Sequence, residues 1–484
     1  MNRRKNNQKP GSNIVRISRL ESISPINIST NKFDLKKKLY NPSLTLLLIY
    51  LSIIFLETIL LLLPVSTNHP EQNSIMKALF TATSSFTLTG LIVENTNKFW
   101  SPIGQAIIVI FIFIGGIGFM TSSSFILKLF GQKISLTQQI LLRESIADTQ
   151  SLGRIQIGNI VSTLGLIVSY SLFVQLFIAI ILTLIFMPDM NLPNAIWQGI
   201  AHSISAFNGA GFVFFDNEGS LGGYENNTKI LIMIGSGLFL GSIGYLVFLD
   251  LIQNFRWQRF SLNSKIVISS TIFLNIIGTV IFFMLESQPG NGVLNGLSSI
   301  DSIKHSIFNS LSGRTAGFSS LPFNLINSST FIWCSTLMFI GGASASTAGG
   351  IKVNTFMVIF AFVKSTLSGS QHTSIFGREI PDDQVKRCIT IAIVGILVII
   401  FSLIVTSNIE KSAESNKILF EICSAFGTVG LSSGFTAIAS NGSKIILTIL
   451  MIIGRIGPIT LILALGNINN PKLFKYAEER VTIG

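Results

Sequence analysis

Four short stretches of the 484-residue chain repeat one pattern around a fixed glycine. A leucine or phenylalanine always follows this glycine, and a serine or alanine stands five residues before it. The stretches are SFTLTGL (85–91), AFNGAGF (206–212), SGRTAGF (312–318) and AFGTVGL (425–431), with fixed glycines Gly90, Gly211, Gly317 and Gly430. Glycine frees φ, so successive carbonyls can turn toward one point. These segments, named here the glycine loops, favour coordination of a cation by backbone oxygens rather than acid–base or nucleophilic chemistry.

A second motif follows each glycine loop. Its first glycine lies 24 to 30 residues after the fixed glycine, in IGGIG (114–118), LGSIG (240–244), IGGAS (340–344) and IGRIG (453–457). Close packing of membrane helices through small residues would explain this second motif alone. It would not explain the first motif, which lies in segments too polar to span a membrane. Two motifs in four registered copies predict an internal duplication with a period of about 110 residues.

The elements that position these loops are membrane helices. Only 12% of the residues are charged and 48% are hydrophobic, with a mean hydropathy of +0.61, whereas soluble domains carry about 25% charged residues. Stretches such as 44–64, 157–187 and 388–405 are long enough to cross a hydrocarbon core of about 30 Å as helices. Eight spans are predicted, at roughly 44–64, 101–130, 158–187, 227–252, 263–285, 329–362, 388–408 and 443–466.

The net charge is +12, and the lysines and arginines are unevenly distributed between the segments predicted on the two sides of the membrane. With the N-terminus in the cytoplasm, the inner segments carry 25 of the 34 lysines and arginines, the outer segments carry eight, and Arg455 lies within a span. This asymmetry obeys the positive-inside rule and predicts that both termini are cytoplasmic. The basic segments are therefore expected to set orientation and to contact anionic lipid, and we predict no nucleic-acid partner.

The fold class predicted is an all-α polytopic membrane protein with four repeats of helix, re-entrant pore loop and helix around a central pore. Non-helical backbone at membrane depth is tolerated where protein buries it or where it lines a watery cavity. The predicted divisions are a basic tail (1–40), repeat 1 (41–130), repeat 2 with its preceding cytoplasmic loop (131–252), repeat 3 (253–387), repeat 4 (388–470) and a C-terminal tail (471–484).

The glycine loops supply the predicted ion-binding residues of a selectivity filter. Carbonyl oxygens from four such loops can replace the water shell of a potassium ion, and Thr428-Val429-Gly430 repeats the TVG of known potassium filters. Potassium at these carbonyls is the predicted metal, and no catalytic residue is predicted. The filter residues are Thr87, Leu88, Thr89, Gly90, Asn208, Gly209, Ala210, Gly211, Arg314, Thr315, Ala316, Gly317, Gly427, Thr428, Val429 and Gly430.

Over residues 44–470 the chain resembles the superfamily of Trk, Ktr and HKT potassium transporters, most closely the KtrB membrane subunits of bacterial Ktr uptake systems. Besides the glycine loops, the stretches GGASASTAGGIKV (341–353), IGRIGPIT (453–460), QQILLRESI (138–146) and FGREIP (376–381) carry the resemblance. It implies a potassium pore formed by a single chain in a bacterial cell membrane. It also implies a homodimer, and gating by a cytosolic nucleotide-binding subunit of RCK type. In this family, glycine in all four loops goes with potassium selectivity.

The sixth predicted span contains a run of small residues that should break its helix. Glycine costs about 1 kcal/mol relative to alanine in a helix. The resemblance makes this loop a mobile gate below the filter, formed by Gly341, Gly342, Ala343, Ser344, Ala345, Ser346, Thr347, Ala348, Gly349 and Gly350. Family members often have glycine where this chain has Ala345. A Walker A motif is excluded, because Ile351 separates Gly350 from Lys352. Tight helix packing is the alternative role for this run.

Four further positions carry charges near the predicted pathway. Arg455 is the lysine or arginine deepest within a span, and it is expected to face the pore next to the gate loop. Arg314 is expected to brace loop carbonyls, with direct ion contact as the alternative. Asp216 and Glu218 follow the second glycine loop and could concentrate cations at its mouth, or be ordinary solvated residues.

Composition also bounds the competing functions. The three cysteines lack CxxC spacing and the four histidines are scattered, so the sequence predicts no metal cluster. A membrane enzyme is not expected either, because the spans contain no cluster of His, Asp, Glu or Ser-Lys residues. A structural scaffold would leave the four registered loops unexplained. The main alternative is a Trk-type symporter that couples potassium to sodium or protons, for which Glu57 is the deep carboxylate available. No cofactor is predicted for this chain; potassium is the substrate, sodium stimulation is left open, and a nucleotide is expected only on the regulatory partner.

Overall fold

The computed structural model describes residues 42–118, 160–215, 221, 223–254, 256–289, 292–344 and 346–457. Several predicted features lie outside these residues: both tails, the cytoplasmic loop after the second span, the gate residue Ala345, and Asp216 with Glu218. The side of the membrane on which each terminus lies therefore stays a prediction.

The described residues form sixteen α-helices and one two-stranded hairpin. In chain order the helices are α1 (Pro42–Leu62), α2 (Ile75–Phe86), α3 (Thr96–Phe99), α4 (Pro102–Ile117), α5 (Ile160–Phe186), α6 (Leu192–Asn208), α7 (Thr228–Ile243), α8 (Tyr245–Gln253), α9 (Leu262–Glu286), α10 (Ser299–Thr315), α11 (Ser328–Phe339), α12 (Val353–Leu367), α13 (Asp382–Ile409), α14 (Ser415–Gly427), α15 (Phe435–Ile438) and α16 (Asn441–Ile456). Between α12 and α13, strands β1 (Ser374–Ile375) and β2 (Arg378–Glu379) pair antiparallel.

Four shorter helices, α2, α6, α10 and α14, run directly into the glycine loops, and we name them the loop helices. Side-chain caps begin three of them: Ser74 accepts the amide of Lys77, Asn191 that of Asn194, and Ser298 that of Asp301. Such caps satisfy one of the amides that the first helical turn leaves unpaired. The start of each of these three helices is thus encoded locally.

The long apolar helices bear out a mostly helical membrane protein. Within the described residues, three helices are long and apolar enough to cross a membrane: 165–186, 262–286 and 382–409. Shorter apolar helices cover 47–62, 102–117 and 353–367. Each of the eight predicted spans contains a helix or a helix pair within its described residues, but the spans 101–130 and 443–466 extend beyond the described residues, and the count of eight crossings stays a prediction.

The fourth predicted span, 227–252, differs from a straight helix. Helices α7 and α8 meet at a bend of 89° at Gly244, which has a φ of +88°. The last glycine of the second motif also ends α4 at Gly118 and α16 at Gly457, with φ values of +85° and +90°. Residues with a side chain rarely adopt this left-handed region. The motif therefore ends helices in three of its copies, a role that its small residues alone did not indicate.

Candidate functional site

The four fixed glycines form a closed ring. A Cβ atom added to Gly90 would come within 3.0 Å of the carbonyl oxygen of Ala210, the residue before the next fixed glycine. The same relation joins Gly211 to Ala316, Gly317 to Val429, and Gly430 to Thr89, so the cycle returns to its first loop. All four glycines have positive φ, between +67° and +94°. Both the close approach and the backbone conformation therefore require glycine at these positions.

The residue two positions before the fixed glycine is left-handed in three loops. It is Leu88 in the first loop, Gly209 in the second and Thr428 in the fourth, with φ values of +63°, +68° and +48°. A left-handed leucine or threonine costs about 1–2 kcal/mol and persists only where its surroundings enforce it. The third loop departs from this pattern because α10 extends through Thr315. No residue pattern had indicated this strain at Leu88 and Thr428.

The surroundings of the ring favour a cation. Each loop helix ends at its glycine loop, and the C-terminal end of a helix carries about −0.5 elementary charge. A cavity of about 660 Å³ is lined by all four fixed glycines. Among the described residues that line this cavity, Glu225 is the charged side chain, and no lysine or arginine joins it. Glu225 had not been singled out, because it lies fourteen residues beyond Gly211 and outside any motif.

The other predicted filter residues lie in the same loops. Asn208 ends α6, Gly209 and Ala210 follow it, and Thr315 and Ala316 stand before Gly317. Gly211 and Gly317 are half-buried, while the remaining predicted filter residues are buried: Thr87, Leu88, Thr89, Gly90, Asn208, Gly209, Ala210, Arg314, Thr315, Ala316, Gly427, Thr428, Val429 and Gly430. The loop backbones thus come together, as a coordination site made of carbonyls requires.

Arg314 turns its side chain away from the ring. Its guanidinium donates to the carbonyl oxygens of Thr271 (3.3 Å) and Gly341 (3.3 Å), and to Asn275 Oδ1 (3.5 Å). The residue is buried. This geometry makes Arg314 a brace between the third glycine loop, α9 and the first residue of the 341–350 loop.

The 341–350 loop is irregular and pinned at several points. Helix α11 ends at Phe339, α12 begins at Val353, and the amide of Gly341 donates to Ile351 O (2.9 Å). The loop then reaches the other repeats: the amide of Ala343 donates to Ser242 O (3.0 Å), and that of Gly350 donates to Gly454 O (3.2 Å). It therefore lies against the second motifs of repeats 2 and 4.

The end of the loop lies directly against the fourth glycine loop. A Cβ atom added to Gly349 would come within 3.0 Å of Thr428 Oγ1, and Gly350 lies beside the α-carbon of Gly427. Gly342, Ala343, Ala348, Gly349 and Gly350 are buried. An ion leaving the ring on this side would therefore meet the loop.

Arg455 binds this loop. One guanidinium nitrogen donates to the carbonyl of Thr347, and the other donates to Gly115 O at 2.8 Å. The arginine on α16 thus connects the second motif of repeat 1 to the 341–350 loop. Arg455 therefore contacts the loop next to which it was expected to lie.

The second motif packs against the ends of the loop helices. A Cβ atom added to Gly115, Gly241 or Gly454 would come within 3.0 Å of the carbonyl oxygen of Phe86, Phe207 or Phe426, respectively. These phenylalanines are fully buried. In repeat 3 the corresponding glycine, Gly341, instead approaches Gly349 O, because the 341–350 loop occupies this place.

This packing yields a testable difference between two glycines of α7. We expect Gly241→Ala to destabilise the protein by about 1–3 kcal/mol, because the new methyl group has no room. Gly235→Ala is the matched control, since its Cβ would meet Leu311 at an ordinary 3.6 Å and alanine favours the helix. Thermal unfolding in detergent should show a lower midpoint for the first variant only; equal midpoints would contradict the packing role.

Buried carboxyl groups extend beyond Glu57. Glu57 on α1 is fully buried and bonded to Ser85, but Glu286 and Glu421 are equally buried. Glu286 accepts the amides of Val293 (3.0 Å) and Asn327 (2.9 Å) at the end of α9. Glu57 is therefore not the sole fully buried carboxyl group among the described residues. Residue types alone did not indicate the other two, because Glu286 lies at the edge of a predicted span and Glu421 lies in a loop helix.

The histidines have structural partners. Nδ1 of His202 bonds the Gln198 carbonyl (2.9 Å), and Nδ1 of His305 bonds Ser320 Oγ (2.9 Å). No group of three or more His, Cys, Asp or Glu side chains that could hold a metal occurs in the described part of the chain.

These observations define a helical membrane protein whose four repeated loops meet in one ring. A family model described as TrkH, cation transport protein, matches residues 50–476. The chain therefore belongs to this family, within the Trk/Ktr potassium uptake transporters, and is a transporter rather than an enzyme.

Relatives agree with this assignment, and a solved structure shares the fold. The chain is 34% identical to "Ktr system potassium uptake protein B" of Bacillus subtilis, over 92% of this chain and 97% of that protein. It is 33% identical to the protein of the same name from Vibrio alginolyticus, over 91% and 94%. It is also 31% identical to "Potassium/sodium uptake protein NtpJ" of Enterococcus hirae, over 88% and 93%. Its fold is similar to that of the potassium transporter TrkH from Vibrio parahaemolyticus, with a TM-score of 0.67 and 17% identity over 88% of this chain and 84% of that one.

Proposed function

We propose that this chain is the potassium-selective, ion-translocating subunit of a Ktr-type uptake system, with channel-like permeation through the four glycine loops. The observation that carries the proposal is the closed ring, in which each fixed glycine touches the carbonyl of the next loop. Four loops in cyclic contact enclose an axis, and carbonyl oxygens around an axis can replace the hydration shell of a cation.

Selectivity for potassium is supported by the loops themselves. Glycine stands at all four ring positions, so no side chain narrows the ring or adds a hydroxyl there. The membrane potential supplies about 2.3 kcal/mol per charge for each 100 mV, which suffices for uptake without a coupled ion.

The 341–350 loop and Arg455 form the proposed gate. The loop lies against Gly427 and Thr428, and Arg455 holds it through the Thr347 carbonyl. A cation held beside the pathway raises an electrostatic barrier to other cations. Displacement of the loop with Arg455 would open the path.

Regulation and assembly complete the proposal. Relatives named as parts of a Ktr system suggest a system with more than one component. We expect a cytosolic RCK-type nucleotide-binding subunit to contact the inner basic segments 143–154, 256–265 and 378–387, of which the first lies outside the described residues. The chain is expected to act as a homodimer in the plasma membrane. Stimulation by sodium belongs to the same proposal.

A Trk-type symporter is the second candidate. It is favoured by one observation: Glu57 is fully buried, and its Oε2 has no partner among the described residues. A buried carboxyl group of this kind could exchange a proton or bind sodium. Obligatory coupling would then make potassium uptake cease without external sodium or a proton gradient.

Potassium uptake in cells stripped of their own potassium systems tests both candidates. The chain should rescue growth at low potassium, alone or with a co-expressed nucleotide-binding subunit. Uptake that persists without sodium and follows the membrane potential would support the channel-like proposal. An absolute requirement for sodium or protons would support the symporter, and failure to rescue with the partner present would contradict both.

A further inference from the structure

Three of the four glycine loops are tied to their own loop helix by the same backbone atom. The amide three residues after the fixed glycine donates to a side chain on the helix: Phe214 N to His202 Nε2 (3.3 Å), Ser320 N to Asn309 Oδ1 (3.2 Å) and Ser433 N to Glu421 Oε1 (2.9 Å). His202 and Glu421 stand nine residues before the fixed glycine, and Asn309 stands eight before it. Three chemically different side chains, eight or nine residues before the fixed glycine, thus fulfil one role for the same backbone amide.

These acceptors are buried to at least 99% of their surface. The tautomer of His202 is set by its other nitrogen, which donates to Gln198 O and leaves Nε2 free to accept. A buried amide that loses its acceptor bears a full desolvation cost, so each of these bonds strongly favours one loop position.

Additional bonds reinforce each tie. In the second loop, Gln198 Nε2 donates to Phe214 O at 2.7 Å. In the fourth loop, Glu421 also accepts from Ser432 Oγ (2.6 Å), Ser433 Oγ (3.2 Å) and Thr436 Oγ1 (2.7 Å). Because Ser432 lines the cavity above the ring, the network reaches the face that an entering ion meets.

In the third loop, the hydroxyl group of Ser320 forms two hydrogen bonds to side chains of α10, in addition to the bond made by its amide. Asn309 Nδ2 donates to its hydroxyl oxygen at 3.1 Å, and His305 lies 2.9 Å from the same oxygen. Ser320 also lines the cavity. The backbone beyond Gly317 is therefore fixed by three hydrogen bonds to one residue.

The first loop is attached differently. Thr81 and Val93 occupy the corresponding positions, and the described residues show no such bond between them. Lys77 of α2 instead pairs with Glu94 at 2.6 Å, with both side chains partly exposed. An ion pair in contact with water holds its partners more weakly than a buried bond.

From this we infer that His202, Asn309 and Glu421 are positioning residues of the ring, which hold the second, third and fourth loops at the spacing that distinguishes potassium from smaller cations. They touch no ion; they act through the amide beyond each fixed glycine. The inference rests on the proposed function, since it assigns these residues to selectivity.

Substitutions of Glu421 test the inference. We expect Glu421→Ala to reduce the preference for potassium over sodium about tenfold, because the Ser433 amide loses its acceptor. Glu421→Gln keeps an oxygen at Oε1 and should stay within about twofold of wild type. Asn309→Ala should likewise lower the preference for potassium, and it provides the test if Glu421→Ala fails to fold. The measurement is competition of sodium against rubidium uptake by purified protein in liposomes, alongside thermal unfolding.

Glu286→Ala is the matched control, because Glu286 is equally buried and accepts two backbone amides, those of Val293 and Asn327, neither of which belongs to a glycine loop. It should lower the unfolding midpoint and leave selectivity unchanged. Selectivity that is unaltered in folded Glu421→Ala and Asn309→Ala would overturn the inference, as would a Glu421→Gln variant as poorly selective as the alanine variant. If wild type itself transports no rubidium, the proposed function has failed. If wild type is selective and the folded variants are equally selective, the inference alone has failed.

Discussion

Gly430→Ala is expected to weaken the apparent affinity for potassium at least about tenfold and to admit sodium. The added methyl group would overlap the carbonyl oxygen of Thr89, and the φ of +94° disfavours any side chain. The left-handed backbone alone costs about 1–2 kcal/mol, and 1.4 kcal/mol corresponds to tenfold in an equilibrium constant. Relief of the overlap must separate the fourth loop from the first and so open the ring. Potassium uptake against external concentration, with and without sodium, measures the effect.

Gly296→Ala separates ring geometry from backbone strain. Gly296 has a φ of +89°, but a Cβ atom there would meet nothing within 4 Å. Its alanine variant should share the strain and keep wild-type affinity. Equal losses in both variants, or unchanged affinity and selectivity in Gly430→Ala, would show that the ring does not coordinate the ion.

Arg455→Ala is expected to raise potassium flux about tenfold while leaving the preference for potassium over sodium intact. The substitution removes the bonds to Thr347 and Gly115 that hold the 341–350 loop, and hydrogen bonds from charged groups contribute about 1.5–3 kcal/mol each. It also removes a positive charge below the ring. Flux through liposomes without a regulatory subunit is the measurement.

Arg455→Lys distinguishes the two contributions of this residue. Lysine keeps the charge but cannot reproduce the planar fork that reaches two carbonyls. A flux as high as in the alanine variant would assign the gate to the bonds, whereas wild-type flux would assign it to the charge. Wild-type flux and an unchanged response to a regulatory subunit in both variants would remove Arg455 from the gate.

Much of the site could be predicted because the four copies of the repeat share residue types at the same positions. The four fixed glycines share a register, and their sequence neighbours predicted loops that meet. The small residues of 341–350 predicted a broken helix, which the structure places between Phe339 and Val353. Arg455 predicted a polar partner, because a charge within a span is costly, and the family resemblance indicated the 341–350 loop as its neighbour.

The remaining features depend on contacts between distant segments. The cyclic order of the loops needs the packing of all four repeats, since no local pattern says which carbonyl meets Gly90. The left-handed Leu88 and Thr428 follow no residue preference, because only their surroundings hold them there. The burial of Glu421 likewise depends on distant contacts, because its bonds to Ser432, Ser433 and Thr436 join the loop helix to the segment beyond the fixed glycine.

The central claim is that a potassium ion sits within the ring of Gly90, Gly211, Gly317 and Gly430. Anomalous diffraction from the purified protein in rubidium or thallium tests it most directly, since both ions replace potassium and scatter anomalously. We expect a peak on the axis among the carbonyls of Thr89, Ala210, Ala316 and Val429, displaced by excess potassium. An ordered ring without such a peak, or peaks confined to Glu57 or Glu225, would contradict it.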